Sequence, residues 1–138
     1  MAESIVFDTG VKTFVLNDTT EIRFNPTSVA FMEKIQNATN ELNAIHERFA
    51  KEVENIGAYK ALKNADEEMR PVLDGLFGDD FCAKVFPPDE MYLLDIAGGF
   101  PVWANVVMAI VDKMDDSLKE EKTLIDKRIR KYSAKYKK

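Results

Sequence analysis

The chain has 138 residues, a length that suits one domain, with 46% hydrophobic and 31% charged residues, a globular rather than disordered balance. Its net charge of -5 argues against general affinity for nucleic acid or anionic membrane. One cysteine, Cys82, excludes an intrachain disulfide, suits a reducing cytosol and, with the single His46, argues against a zinc site.

The start, Met1 to Phe7, has neither a basic stretch nor a long apolar run, so no signal peptide is expected. The first 25 residues read as strands. Ile5-Val6-Phe7, Thr13 to Leu16 and Glu21 to Phe24 are short β-branched and aromatic runs. The turn clusters Asp8-Thr9-Gly10 and Asn17-Asp18-Thr19 separate them. Ile22 and Phe24 alternate with Glu21 and Arg23, as in a half-buried strand. The expectation is an antiparallel meander of two or three strands, covered by helices on its apolar face.

Asn25-Pro26 is expected to close the sheet and open a helix, with Asn as cap and Pro in the first turn. Apolar residues then recur from Phe31 through Ile35, Ala38, Leu42, Ile45, Phe49 and Val53 to Ile56, a stripe that meets another helix. The stop falls at Asn55 to Gly57. A second stripe runs through Ala58, Leu62, Ala65, Met69, Leu73 and Leu76. Pro71 inside it predicts either a kink or a break at Met69-Arg70. Two stripes with so short a joint predict an antiparallel helical hairpin.

Asp79-Asp80 are placed to cap a short helix over Phe81 to Val85, and Pro87-Pro88 ends it. Asp89 is placed to cap another over Glu90 to Ile96. Gly98-Gly99 reads as a tight turn before a last helix that Pro101 opens. The most apolar stretch, Ala97 to Val111, is too short to span a bilayer, which takes about 20 residues, and reads as buried core. Trp103, Val106, Val107, Ile110, Val111, Met114 and Leu118 share one wide face of that helix, which is expected to continue through Ile125 and Ile129 to Tyr132.

Charge is uneven. Residues 127–138 hold seven basic side chains and no acid, which leaves residues 1–126 at -12 out of the total of -5. The fold class expected is therefore α+β, mostly α. One domain covers 1–138, with a β-meander over 1–25, a helical body over 26–126 and a basic tail over 127–138.

No catalytic constellation stands out. His46 has no Asp or Ser at triad spacing, and Cys82 beside Phe81 reads as a small core hydrophobe. The pairs Asp79-Asp80, Asp89-Glu90 and Asp115-Asp116 read as helix caps or solvated faces rather than Mg²⁺ ligands. Gly98-Gly99 matches no phosphate-binding loop. The expectation is a protein without catalytic residues, metal or cofactor. Trp103 reads first as core and alternatively as an interface anchor beside Phe100. Asn105 needs a hydrogen-bond partner if it is buried. Lys127, Arg128, Arg130, Lys131, Tyr132, Lys135 and Tyr136 form a basic, partly aromatic segment. It suits either an acidic protein surface, including another copy of this chain, or nucleic acid through phosphate contact and stacking.

Several segments carry a resemblance when taken together. They are Phe7-Asp8-Thr9-Gly10-Val11-Lys12-Thr13-Phe14, Glu21 to Pro26, Met69-Arg70, Phe77 to Cys82, Gly99 to Asn105 and Arg130 to Tyr136. In order and spacing they resemble small phage and prophage proteins of Gram-positive bacteria that look like tail assembly chaperones of long-tailed phages. The resemblance implies a non-enzymatic factor in the cytoplasm of the bacterial host. Such a factor holds the tape-measure protein soluble during tail assembly, with the major tail protein as a possible further partner. The alternatives are, within the same resemblance, a structural component of the virion tail or neck and, from the residues, a nucleic-acid-binding accessory protein that uses residues 127–138.

Overall fold

A computed structural model describes residues 2–136, with side chains up to Lys131. Strand β1 (Lys12–Leu16) pairs antiparallel with β2 (Thr20–Phe24), Phe14 opposite Ile22. The turn between them works because Asn17 and Asp18 both adopt left-handed backbone, φ 49° and 60°. Asn and Asp tolerate that region better than other side chains, and its twist matches a hairpin.

The meander therefore has two strands. Ile5-Val6-Phe7 forms none, and its side chains are exposed. The cause lies at the turn that was expected to return it to the sheet. Asp8 accepts the Gly10 N–H at 2.8 Å, and the Asn25 side-chain amide donates to the Thr9 carbonyl at 3.0 Å. These bonds steer residues 8–10 past the end of β2 rather than along β1. Gly10 sits at φ +81°, and a Cβ there would stand 2.7 Å from Asn25 Nδ2.

Helix α1 (Val29–Ile56) starts three residues later than the Pro26 expectation. Ser28 is the cap, its Oγ accepting the Phe31 N–H at 3.2 Å. Asn25 is instead occupied with Thr27, accepting both its N–H and its hydroxyl at 2.9 Å. Gly57, at φ +87°, is the single-residue joint to α2 (Ala58–Phe77). The two helices form the expected antiparallel hairpin, burying Ile35, Ala38, Leu42 and Ile45 against Ala61, Ala65, Met69 and Leu73. Helix α2 runs through Pro71 without a break.

Helix α3 (Phe81–Val85) follows. Its first turn is held by Asp74 of α2, which accepts the Cys82 N–H at 2.8 Å. Asp80, of the expected Asp79-Asp80 pair, holds the cap position, but its carboxylate pairs with Lys84 at 2.8 Å rather than with a backbone N–H. Phe14, Phe24, Phe31, Phe77 and Phe81 form a chain of rings, successive centroids 4.6–5.9 Å apart, from the sheet across the hairpin to α3.

No helix forms over 90–96. Backbone groups there are committed to tertiary partners. Leu93 N–H donates to Asp66 Oδ1 at 2.7 Å, the Met91 carbonyl accepts from Arg70 at 2.9 Å, and the Leu93 carbonyl accepts from Trp103 N–H at 3.2 Å. Strands β3 (Ile96–Ala97) and β4 (Phe100–Pro101) then form a small hairpin around Gly98-Gly99. Pro101 ends that hairpin, and α4 (Val102–Tyr136) begins one residue after it.

The core joins Ile22 and Phe24 of the sheet, the helical hairpin, Phe81 and Cys82 of α3, Leu93 and Leu94, and Trp103, Val107, Ile110 and Met114 of α4. At about 1.5 Å per residue, 35 residues make α4 roughly 52 Å long. Its last buried residue among the described side chains is Ser117. Every described side chain from Leu118 to Lys131 is exposed, so the second half of α4 extends beyond the core as an arm.

Candidate functional site

The β3–β4 hairpin presents its apolar side chains outward. Ile96 is 66% exposed and Phe100 51%. Ala97 of this hairpin reaches an open groove of about 360 Å³, whose other walls include Leu16, Val85, Phe86, Met91, Val102 and Val106. These residues come from the first hairpin, α3, the 86–94 loop and α4. Asn105 at the rim donates from its side-chain amide to the Ala97 carbonyl at 2.9 Å, fastening the hairpin to α4. The groove is thus mostly apolar, with two asparagines, Asn17 and Asn105, as its polar members. It offers a seat for apolar side chains of a partner and no charge to bind a phosphate or carboxylate.

Phe100, opposite the groove-lining Ala97 in the hairpin ladder, is exposed, whereas Trp103 is not. Trp103 is 4% exposed, its ring edge-on to His46 with centroids 6.5 Å apart. In this fold it packs the core and is not available as a surface anchor. Its indole N–H finds no acceptor among the described residues, which costs about 1–3 kcal/mol.

The loop under the groove is held by one buried cluster. Asp66 is 5% exposed and bonds Arg70 Nε through Oδ2 at 2.6 Å. Arg70 then donates to the carbonyls of Phe86 at 2.7 Å and Met91 at 2.9 Å. Both carboxylate oxygens and three guanidinium N–H groups are satisfied, so the cluster is structural rather than poised for chemistry.

Cys82 is 1% exposed, and its Sγ lies 3.5 Å from the Arg70 carbonyl. Burial, and secondarily the Asp74 carboxylate beside it, push its pKa up, so the thiol stays protonated at neutral pH. A nucleophilic cysteine needs the opposite shift. Among the described residues no three His, Cys, Asp or Glu side chains stand close enough to hold a metal ion. No helix among them is long and apolar enough to cross a membrane.

Lys127, Arg128, Arg130 and Lys131 are exposed on the arm. The side chains of Tyr132, Lys135 and Tyr136 lie outside the described residues, although the helix continues through them. Leu118, Leu124, Ile125 and Ile129 are 42–58% exposed on the same arm. One edge of it, with Glu121, Leu124, Ile125 and Arg128, faces Asp8, Thr9 and Gly10 across a second open groove of about 360 Å³. The structure thus separates two surfaces, the apolar hairpin groove and the charged, partly apolar arm. Phe100 belongs to the first and the basic residues to the second.

Sequence reasoning found Phe100 but missed Ile96 and the groove, whose walls are scattered over residues 16–109. Local periodicity carries no signal for such a site. No protein-family model, curated protein or solved structure matches the chain.

Proposed function

We infer that this chain is a non-enzymatic binding protein acting as a phage tail assembly chaperone. In this reading it holds the apolar face of a helical tape-measure protein in the bacterial cytoplasm. The observation that carries the reading is the pair of exposed apolar side chains, Ile96 and Phe100, on a hairpin beside an apolar groove. An amphipathic client helix docks by placing apolar side chains at i, i+3, i+4 and i+7 into such a groove. The segments that resemble tail assembly chaperones supply the client's identity.

The test is affinity capture with this protein as bait from cells with the induced prophage, nuclease-treated and read by mass spectrometry. Enrichment of a very long, helix-rich tail protein is expected, and Phe100→Asp should reduce its recovery about tenfold or more. Recovery of only nucleic-acid-dependent partners overturns the reading. So does finding the chain at fixed stoichiometry in purified particles, which marks a tail or neck component.

A further inference from the structure

The arm of α4 has an apolar face that stays largely open to solvent. At 100° per residue, Leu118, Ile125 and Ile129 fall on one stripe. This stripe continues the face by which Val107, Ile110 and Met114 join the core, and past Ser117 its side chains are exposed, the body approaching along the Glu121, Ile125 and Arg128 edge, across the open groove to Asp8, Thr9 and Gly10. Charge along the arm is ordered as well. Glu120, Glu121 and Asp126 precede the basic run that begins at Lys127.

We propose that the arm is a self-association surface, on which the arms of two copies pair antiparallel about a two-fold axis near Ile125. Charge decides both occupant and direction. Glu121 and Arg128 lie on one edge of the stripe, Lys122 and Asp126 on the other. Antiparallel pairing centred on Ile125 brings Glu121 beside Arg128 of the second copy and Lys122 beside its Asp126, each contact made twice. Ile125 then meets Ile125 of the second copy at the axis. Parallel pairing would instead lay Lys127, Arg128, Arg130 and Lys131 of one arm along the same four of the other. The seam avoids the hairpin groove, so this proposal stands apart from the chaperone reading.

The experiment is sedimentation equilibrium of the nuclease-treated full chain over a wide concentration range, with variants at exposed arm positions. The natural chain should show a concentration-dependent dimer. Ile125→Asp should weaken it about tenfold or more, with far-UV circular dichroism unchanged. Glu121→Arg should weaken it and Glu121→Arg with Arg128→Glu should restore it. Under mild oxidation Ile125→Cys should form a disulfide-linked dimer and Leu118→Cys should not, because the antiparallel seam separates the two Leu118 positions by about 14 residues, or roughly 21 Å. A strict monomer, a dimer untouched by Ile125→Asp, cross-linking of both cysteine variants, or association that disappears with nuclease treatment would each overturn the proposal.

Discussion

Asp66 and Arg70 stand one helical turn apart on α2, and together they fix the irregular loop from Phe86 to Leu93. Removing either partner leaves the other charge buried without its complement, at a cost of about 3–5 kcal/mol. Urea unfolding of Asp66→Ala and Arg70→Ala should show losses of that order. Arg70→Lys should recover only a part, because a single ammonium cannot fork to Asp66 and two carbonyls at once. Full recovery by lysine would mean that charge alone matters. Cys82 makes a pH prediction. Its pKa is raised in the fold above an ordinary value near 9.0. Above that pH the unfolded chain releases a proton that the folded chain retains, so stability falls as pH rises and is whole below it. The slope is at most about 1.4 kcal/mol per pH unit. Comparing unfolding of the natural chain and Cys82→Ala between pH 8 and pH 10 isolates it, and equal slopes would refute it.

Helix α2 shows how tertiary packing overrides a local signal. Pro71 lacks the N–H that the helix ladder uses, yet Met69 and Leu73 on either side are completely buried. That burial keeps the helix continuous where the sequence left a kink or a break open. Pro71 itself is exposed, so Pro71→Ala should restore a backbone bond without disturbing the core. Thermal unfolding should show a gain of about 1–3 kcal/mol, and a loss would show that the proline geometry is required. The 90–96 segment shows the converse. Asp89 at its start and the apolar Met91, Leu93 and Leu94 satisfy local helix rules, yet Asp66 and Arg70 take the backbone groups a helix would use. Those two partners lie more than 20 residues upstream, beyond any window of periodicity.

The three long helices and the first hairpin were legible because each carries its own pattern, apolar stripes for the helices and alternation around Asn17-Asp18 for the hairpin. The Ile5-Val6-Phe7 strand was misread because strand propensity does not supply a pairing partner. Interaction surfaces were legible only in part. Phe100 and the basic run declare themselves by residue type, whereas burial of Trp103 and exposure of Ile96 follow from packing. The division between body and arm gives a further expectation. Residues beyond Ser117 add no buried side chain among those described, so a chain ending at Lys119 should unfold within about 0.5 kcal/mol of the full chain when both are dilute. A larger loss would show that the arm supports the body.

The placement of Asp66 and Arg70 on adjacent turns of one helix also bears on the order of folding. Their ion pair needs only α2, so it can assemble as soon as that helix does, while the contacts to Phe86, Met91 and Leu93 span 16 to 27 residues. The helix thus presents a receptor for the loop before the loop arrives. If the loop closes after the transition state, weakening these contacts should accelerate unfolding and leave the folding rate nearly unchanged, which stopped-flow folding and unfolding of Arg70→Ala would check. In that event the clasp is a latch on the native state, setting how long a molecule stays folded more than how fast it folds.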